Sequence, residues 1–143
     1  METARYSGVM ASQQTDQEFD IFAAFCPSRD VFAELADKWS LLLVLSLRKC
    51  GEQRFSELQR SVSGVSRKML TQSLRALERD GLVQRTVHPE APPRVVYGLL
   101  PLGHALAERI APLGEWVEEY ADSVVAARER FDRAHCGGGV PAP

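Results

Sequence analysis

Lys68, Gln72, Arg75 and Arg79 recur at spacings of three and four residues, with Thr71 beside Gln72. At about 100° per residue, that spacing gathers them on one face of a helix. Ammonium, amide and guanidinium groups in such a row can read base edges in the major groove of duplex DNA, and Lys68, Thr71, Gln72 and Arg75 are assigned that role. Leu70, Leu74, Leu77 and the closing Gly81 fall on the other face, where a core would take them. Ser66 stands at the expected N-cap, so the first free N–H groups of the helix point toward a phosphate. Ser66, Arg67, Arg79 and Arg94 are therefore assigned to the sugar–phosphate backbone. An ordinary amphipathic helix with a solvated basic face would use the same residue types, so the surrounding elements must decide.

Those elements form a layout. A short apolar-periodic segment begins at Arg54 and is separated from the next by Val62-Ser63-Gly64-Val65, where glycine supplies a turn. The second segment, Ser66 to Asp80, closes at Gly81. Strand-like runs Leu82–Val87 and Arg94–Leu99 follow, joined by a hairpin over His88–Pro93. Three prolines stiffen that tip, and His88 is expected there as an exposed turn residue. Arg85 and Arg94 flank the tip within reach of phosphates or the minor groove, and for Arg85 a structural role is equally open. Helix, turn, helix and wing together favour a duplex-DNA reader.

Charge supports that reading. The 143 residues carry a net charge of −2, which argues against generic adhesion to nucleic acid. Residues 54–100 nevertheless hold eight Lys/Arg against four Asp/Glu, while the segments on either side are each −3. The positive charge lies where neutralising a DNA backbone would need it.

The rest of the chain reads as support. Residues 1–15 are expected to be disordered, 16–134 to form one DNA-binding and dimerisation domain, and 135–143 to be a flexible tail. Asp16–Phe25 is read as a short helix with Phe19, Phe22 and Phe25 apolar, and Ser28 as the cap of a helix through Ala36. Trp39–Lys49 is an aliphatic run suited to a buried helix ended by Gly51. Pro101 to about Ala134 reads as a long helix that Pro112 kinks or splits. Its Leu102, Leu106, Ile110, Leu113, Trp116, Val117, Tyr120 and Val124 exceed what a small winged helix covers, so a two-fold homodimer interface with the phenylalanine segment is expected. No apolar run approaches a membrane span and no secretory signal is visible, so the expected setting is the reducing cytoplasm.

Enzyme chemistry finds no footing. There is no glycine-rich phosphate loop, zinc helix or nucleophile elbow. The three histidines and three cysteines lack metal-ligand spacing, so neither a metal nor another cofactor is expected. Cys26, just before a helix and close to Arg29, suits a thiolate open to oxidants or electrophiles, while a small buried core residue is the alternative. Cys50 is a candidate resolving thiol, and Cys136 is reactive only through exposure.

Cys26-Pro27, Lys38-Trp39, Arg54–Leu58, Ser66–Leu74, Asp80–Leu82 and Pro92–Tyr97 together resemble the motif series of the HxlR-type winged-helix regulators. The resemblance implies a mainly α fold with a small β-wing, a winged helix-turn-helix whose N- and C-terminal helices form a dimer interface. It also implies a small dimeric DNA-binding regulator, with some members sensing oxidants or electrophiles through the Cys-Pro cysteine; the expected two-fold pairing matches a palindromic operator. Where the family reads acidic-Tyr-x-Leu-Thr, this chain has Val96-Tyr97-Gly98-Leu99-Leu100-Pro101, which leaves the start of the last helix open. Two other expectations stand beside the thiol sensor. One is a regulator of the same fold whose dimer cavity holds a small apolar effector, with Cys26 structural. The other is a protein-interaction module.

Overall fold

The computed structural model describes residues 18–136, and the chain divides into two compact units between Asp37 and Lys38. The expected disordered residues 1–15 and most of the expected tail lie outside the described residues.

Among its described residues the first unit has one helix, α1 (Pro27–Leu35), with Cys26 as its N-cap and Pro27 in the first turn. Proline suits that position because its missing N–H would have had no partner. Two expectations are corrected here. Residues 18–20 are irregular and 21–25 form turns rather than a helix: the Asp20 carboxylate accepts from the Phe22 N–H at 2.9 Å, and Ala23 bonds back to Asp20. Short side-chain bonds of this kind favour turns over helix starts. Cys26, not Ser28, occupies the cap position.

The second unit is a winged helix-turn-helix. Its order is α2 (Lys38–Cys50), α3 (Phe55–Ser61), α4 (Arg67–Arg79), β1 (Val83–His88), β2 (Arg94–Leu99) and α5 (Pro101–Cys136). Helix α2 buries Leu43, Val44 and Leu47 but leaves Leu42 exposed, so one face enters the core. Leu58 of α3, Leu70, Leu74 and Leu77 of α4, and Leu82 and Val83 complete that core. Gly64, in the turn between α3 and α4, has φ +90°, a region that glycine enters without steric cost.

Helix α4 closes in a Schellman arrangement. Gly81 sits at φ +75°, its N–H bonds the Glu78 carbonyl at 3.1 Å, and the Leu82 N–H bonds the Leu77 carbonyl at 2.9 Å. Leu82 is thereby committed to the closing turn, so β1 begins one residue later than expected and extends to His88. His88 is correspondingly a half-buried strand end paired with Arg94, not an exposed turn residue. The strands pair antiparallel from Val83↔Leu99 to His88↔Arg94. Gln53 adds a third edge by exchanging backbone bonds with Tyr97, at 3.0 and 2.8 Å.

The last helix starts at Pro101, where the Leu100 carbonyl accepts the first bond, from His104. It runs unbroken through Pro112 to Cys136, which corrects the expected split and places His135 and Cys136 in the helix rather than in the tail. Proline removes one bond, while Gly103, Ala107 and Ala111, one turn apart, are buried and α5 packs along α2. Arg48 of α2 adds an exposed ion pair with Glu108, at 3.0 Å. The Trp116 and Tyr120 rings pack tilted, 5.5 Å between centres, on a face that stays open, with Leu113, Val117 and Val125 also exposed.

A side chain at Gly103 would meet the Leu82 carbonyl oxygen at 2.1 Å, a contact with backbone that cannot swing aside. Gly103→Ala should therefore destabilise the fold by about 1–3 kcal/mol in urea unfolding. At Gly114 the nearest atom is a leucine methyl at 3.4 Å. Gly114→Ala is thus expected to be neutral or to stabilise the helix by up to about 1 kcal/mol.

Candidate nucleic-acid interface

Ser66 initiates α4: its hydroxyl oxygen accepts the Met69 N–H at 3.1 Å. This leaves the Ser66 O–H free to donate outward. Downstream, Leu70, Ser73, Leu74 and Leu77 turn into the core, and Arg67, Lys68, Gln72, Arg75 and Arg79 face solvent. Lys68, Gln72, Arg75 and Arg79 make no side-chain hydrogen bond or ion pair among the described residues, so their donors stand available for a ligand.

Three assigned residues are already engaged. The Thr71 hydroxyl donates to the Arg67 carbonyl at 2.7 Å, leaving its oxygen lone pairs and methyl group to face outward. The Arg67 guanidinium lies over the Phe55 ring, 5.3 Å from its centre, which ties α4 to the start of α3. Arg94, beside the tip of the wing, sits 3.5 Å from Glu90, a long ion pair whose Nε atom is buried without a hydrogen bond. Glu90 thus competes with any phosphate for Arg94.

Two features were not legible along the chain. Gln53 is buried, and its amide donates to the Ser46 carbonyl and hydroxyl, both at 3.1 Å, while Ser46 also bonds Ser61. This polar group ties α2, α3 and β2 together, and no sequence spacing announces it. The second feature is a cleft of about 450 Å³ between α4 and the wing, lined in part by Thr71, Arg75, Glu78, Arg85 and Tyr97. The alternation Arg85, Val87 against Val95, Tyr97 hints at one sheet face, but only the strand register puts Arg85 opposite Tyr97.

In the first unit, Cys26 is half-buried. Its sulfur lies 3.0 Å from the Ser28 hydroxyl and accepts the Asp20 N–H at 3.4 Å. The Ser28 hydroxyl first, then the Asp20 and Ser28 backbone groups, hold the Cys26 thiol below its ordinary range, partly opposed by desolvation and by the Asp20 charge. Hydrogen bonds, rather than the expected Arg29 charge, produce the shift. Cys50 and Cys136 are exposed free thiols. No group of three or more His, Cys, Asp or Glu among the described residues could hold a metal ion, and no helix there is long and apolar enough to cross a membrane.

Comparison with known proteins places this geometry. The HxlR-like helix-turn-helix family matches residues 34–125. The uncharacterized HTH-type transcriptional regulator YtfH of Escherichia coli is 45% identical over 123 residues, which is 86% of this chain and 96% of YtfH. The solved structure of ytfH from Salmonella typhimurium superposes with a TM-score of 0.72 at 45% identity, covering 78% of this chain and 99% of that one. The redox regulator HypR in its reduced form superposes at 0.63 with 32% identity, over 70% of this chain and 98% of HypR.

If the Ser28 hydroxyl sets the acidity of Cys26, Ser28→Ala should move the thiol back toward its ordinary range. Less thiolate would then be present near neutrality. The rate of iodoacetamide alkylation of Cys26, followed against pH by mass spectrometry, should turn on at higher pH in the variant. An unchanged profile would show that the backbone groups alone set it.

Proposed function

The chain belongs to the HxlR-like helix-turn-helix family, and from that premise we propose a homodimeric transcriptional regulator that reads a palindromic operator. Recognition runs through α4, with Lys68, Thr71, Gln72 and Arg75 on base edges and Ser66, Arg67, Arg79 and Arg94 on the backbone. The observation that carries this reading is the row of unpartnered Lys68, Gln72, Arg75 and Arg79 opposite a fully buried leucine face. A helix of about 10–12 Å diameter fits the major groove, and such side chains reach its floor. The charge division supports it, since a basic middle flanked by acidic segments concentrates attraction at one surface.

The dimer is supported by α5. Leu113, Trp116, Val117 and Tyr120 leave a contiguous apolar strip in water, and Trp116 is about half exposed, at 51%. Such a strip gains by covering, and two-fold pairing of this helix would set two α4 helices to read half-sites one turn apart. The N-terminal segment offers Phe22 and Phe25, both exposed, to the same end. A reducing cytoplasm fits its three free thiols.

Cys26 supplies the signal in this proposal. A thiolate favoured by hydrogen bonds reacts with an electrophilic quinone to give a thioether, or with a peroxide to give a sulfenic acid and the peroxide's alcohol or water. HypR, of similar fold, is a redox regulator. A second reading draws on a cavity of about 350 Å³ beside α5, lined by Leu42, Leu45, Val62 and Glu118 among others. An apolar effector held there would touch both the turn of the helix-turn-helix and the helix assigned to dimerisation.

On a duplex from the region upstream of the gene, Arg75→Ala should cost about 1–3 kcal/mol and relax sequence preference, measured by mobility shift. Arg94→Ala should instead weaken all duplexes alike and lower the slope of log affinity against log salt by about 0.9. Diamide or a quinone should alter binding by wild type and leave Cys26→Ser, which binds DNA, unaffected. Equal responses in both proteins would remove Cys26 as the sensor and direct attention to the cavity beside α5.

A further inference from the structure

Arg85 has no hydrogen bond or ion pair among the described residues, yet it stands on the most firmly held part of the wing. Its cross-strand partner is Tyr97. Both backbone groups of Tyr97 are spent on Gln53, at 2.8 and 3.0 Å, so they point away from β1. Arg85 and Tyr97 are therefore a non-hydrogen-bonded pair, the kind whose Cα atoms approach to about 4.5 Å and whose side chains share one face most closely. Gln53 is itself locked by its buried amide. The guanidinium and the phenol are thus presented from a fixed platform.

That face opens on the cleft of about 450 Å³ whose other wall is α4, through Thr71, Arg75 and Glu78. Arg75 is likewise unpartnered among the described residues, and Glu78 is the one carboxylate in the lining, so the cleft carries a net positive charge. Geometry restricts what can enter. A helix of about 10–12 Å fills a major groove of about 12 Å, so whatever passes between the helix and an adjacent wing is the backbone flanking the groove, not a base edge.

We propose that this cleft is a phosphodiester seat, in which Arg85 and the Tyr97 hydroxyl grip one phosphate of the DNA strand running between α4 and the wing. The inference rests on the reading that this chain binds duplex DNA. The guanidinium fork matches two phosphate oxygens, and the Tyr97 O–H donates to one of them. Glu78 repels a further phosphate and limits the seat to one. Arg85 thereby sets the depth and register of α4 in the groove without reading sequence, and Arg75 is left for the bases.

The test uses the full chain and a labelled duplex of mixed sequence, about 30 base pairs long, with affinity measured by fluorescence anisotropy across a potassium chloride series. Arg85→Gln should weaken binding and make the salt slope shallower by about 0.9, one phosphate's worth. Arg85→Lys should keep the slope, and Tyr97→Phe should lose several-fold in affinity with the slope unchanged. Circular dichroism should show all three variants folded, because neither side chain makes a hydrogen bond or ion pair among the described residues. An Arg85→Gln slope equal to that of binding-competent wild type overturns the seat while leaving the DNA reading intact. A wild type with no salt-dependent duplex binding overturns the DNA reading, and the seat with it.

Discussion

The backbone of Leu82 is the point on which the winged domain turns. Its N–H closes α4 on Leu77, and its carbonyl accepts the Leu100 N–H as the chain leaves the wing for α5. Gly103 then packs against that carbonyl so closely that no Cβ fits. One residue thus joins α4, the base of the sheet and the long helix. Backbone groups cannot swing like side chains, so this junction limits relative motion of the three elements more firmly than apolar contact alone would. Gly81 makes it possible, because the left-handed conformation turns Leu82 back toward α4.

A second, polar tie holds the outer edge of β2. Gln53 uses its backbone on Tyr97 and its side chain on Ser46. A buried amide is costly unless satisfied, so this group resists any sliding of β2 against α2. Beside these ties, α4 and the wing face one another across the cleft. The basic face of α4 needs such backing. Long, flexible side chains gain specificity only when the helix carrying them has a defined position, and donors without protein partners are useful only on a rigid mount.

The long helix and the cysteine belong to a different layer of the design. Helix α5 spends its small residues, Gly103, Ala107 and Ala111, inward and its large ones outward. Gly103 allows close approach to the Leu82 carbonyl, while Trp116 and Tyr120 remain exposed in an apolar strip. Cys26 sits where a short helix begins, and a neighbouring hydroxyl with backbone N–H groups favours its anionic form. A thiolate in that setting is chemically distinct from Cys50 and Cys136, which are merely exposed.

The sequence by itself determined the periodic elements. Leucines at three- and four-residue spacing specify which face of α4 is buried, Ser66 and Gly81 mark its ends, and proline-rich punctuation marks the wing, because these signals act within one or two turns of chain. Local chemistry also determined the charge division, and hence the surface suited to a polyanion. The errors fell where short-range signals compete. Residues 21–25 formed turns because Asp20 bonds its own neighbours, and α5 was not split at Pro112 because packing along α2 outweighed one lost bond. Only the tertiary structure decided that Gln53 is a buried lock, that Arg85 faces Tyr97, that Arg94 is held by Glu90, and that Ser28 rather than Arg29 acidifies Cys26. Strand register and side-chain direction at these points follow from which backbone groups remain unpaired after the helices have docked, and that is a property of the assembled domain, not of any stretch of its chain.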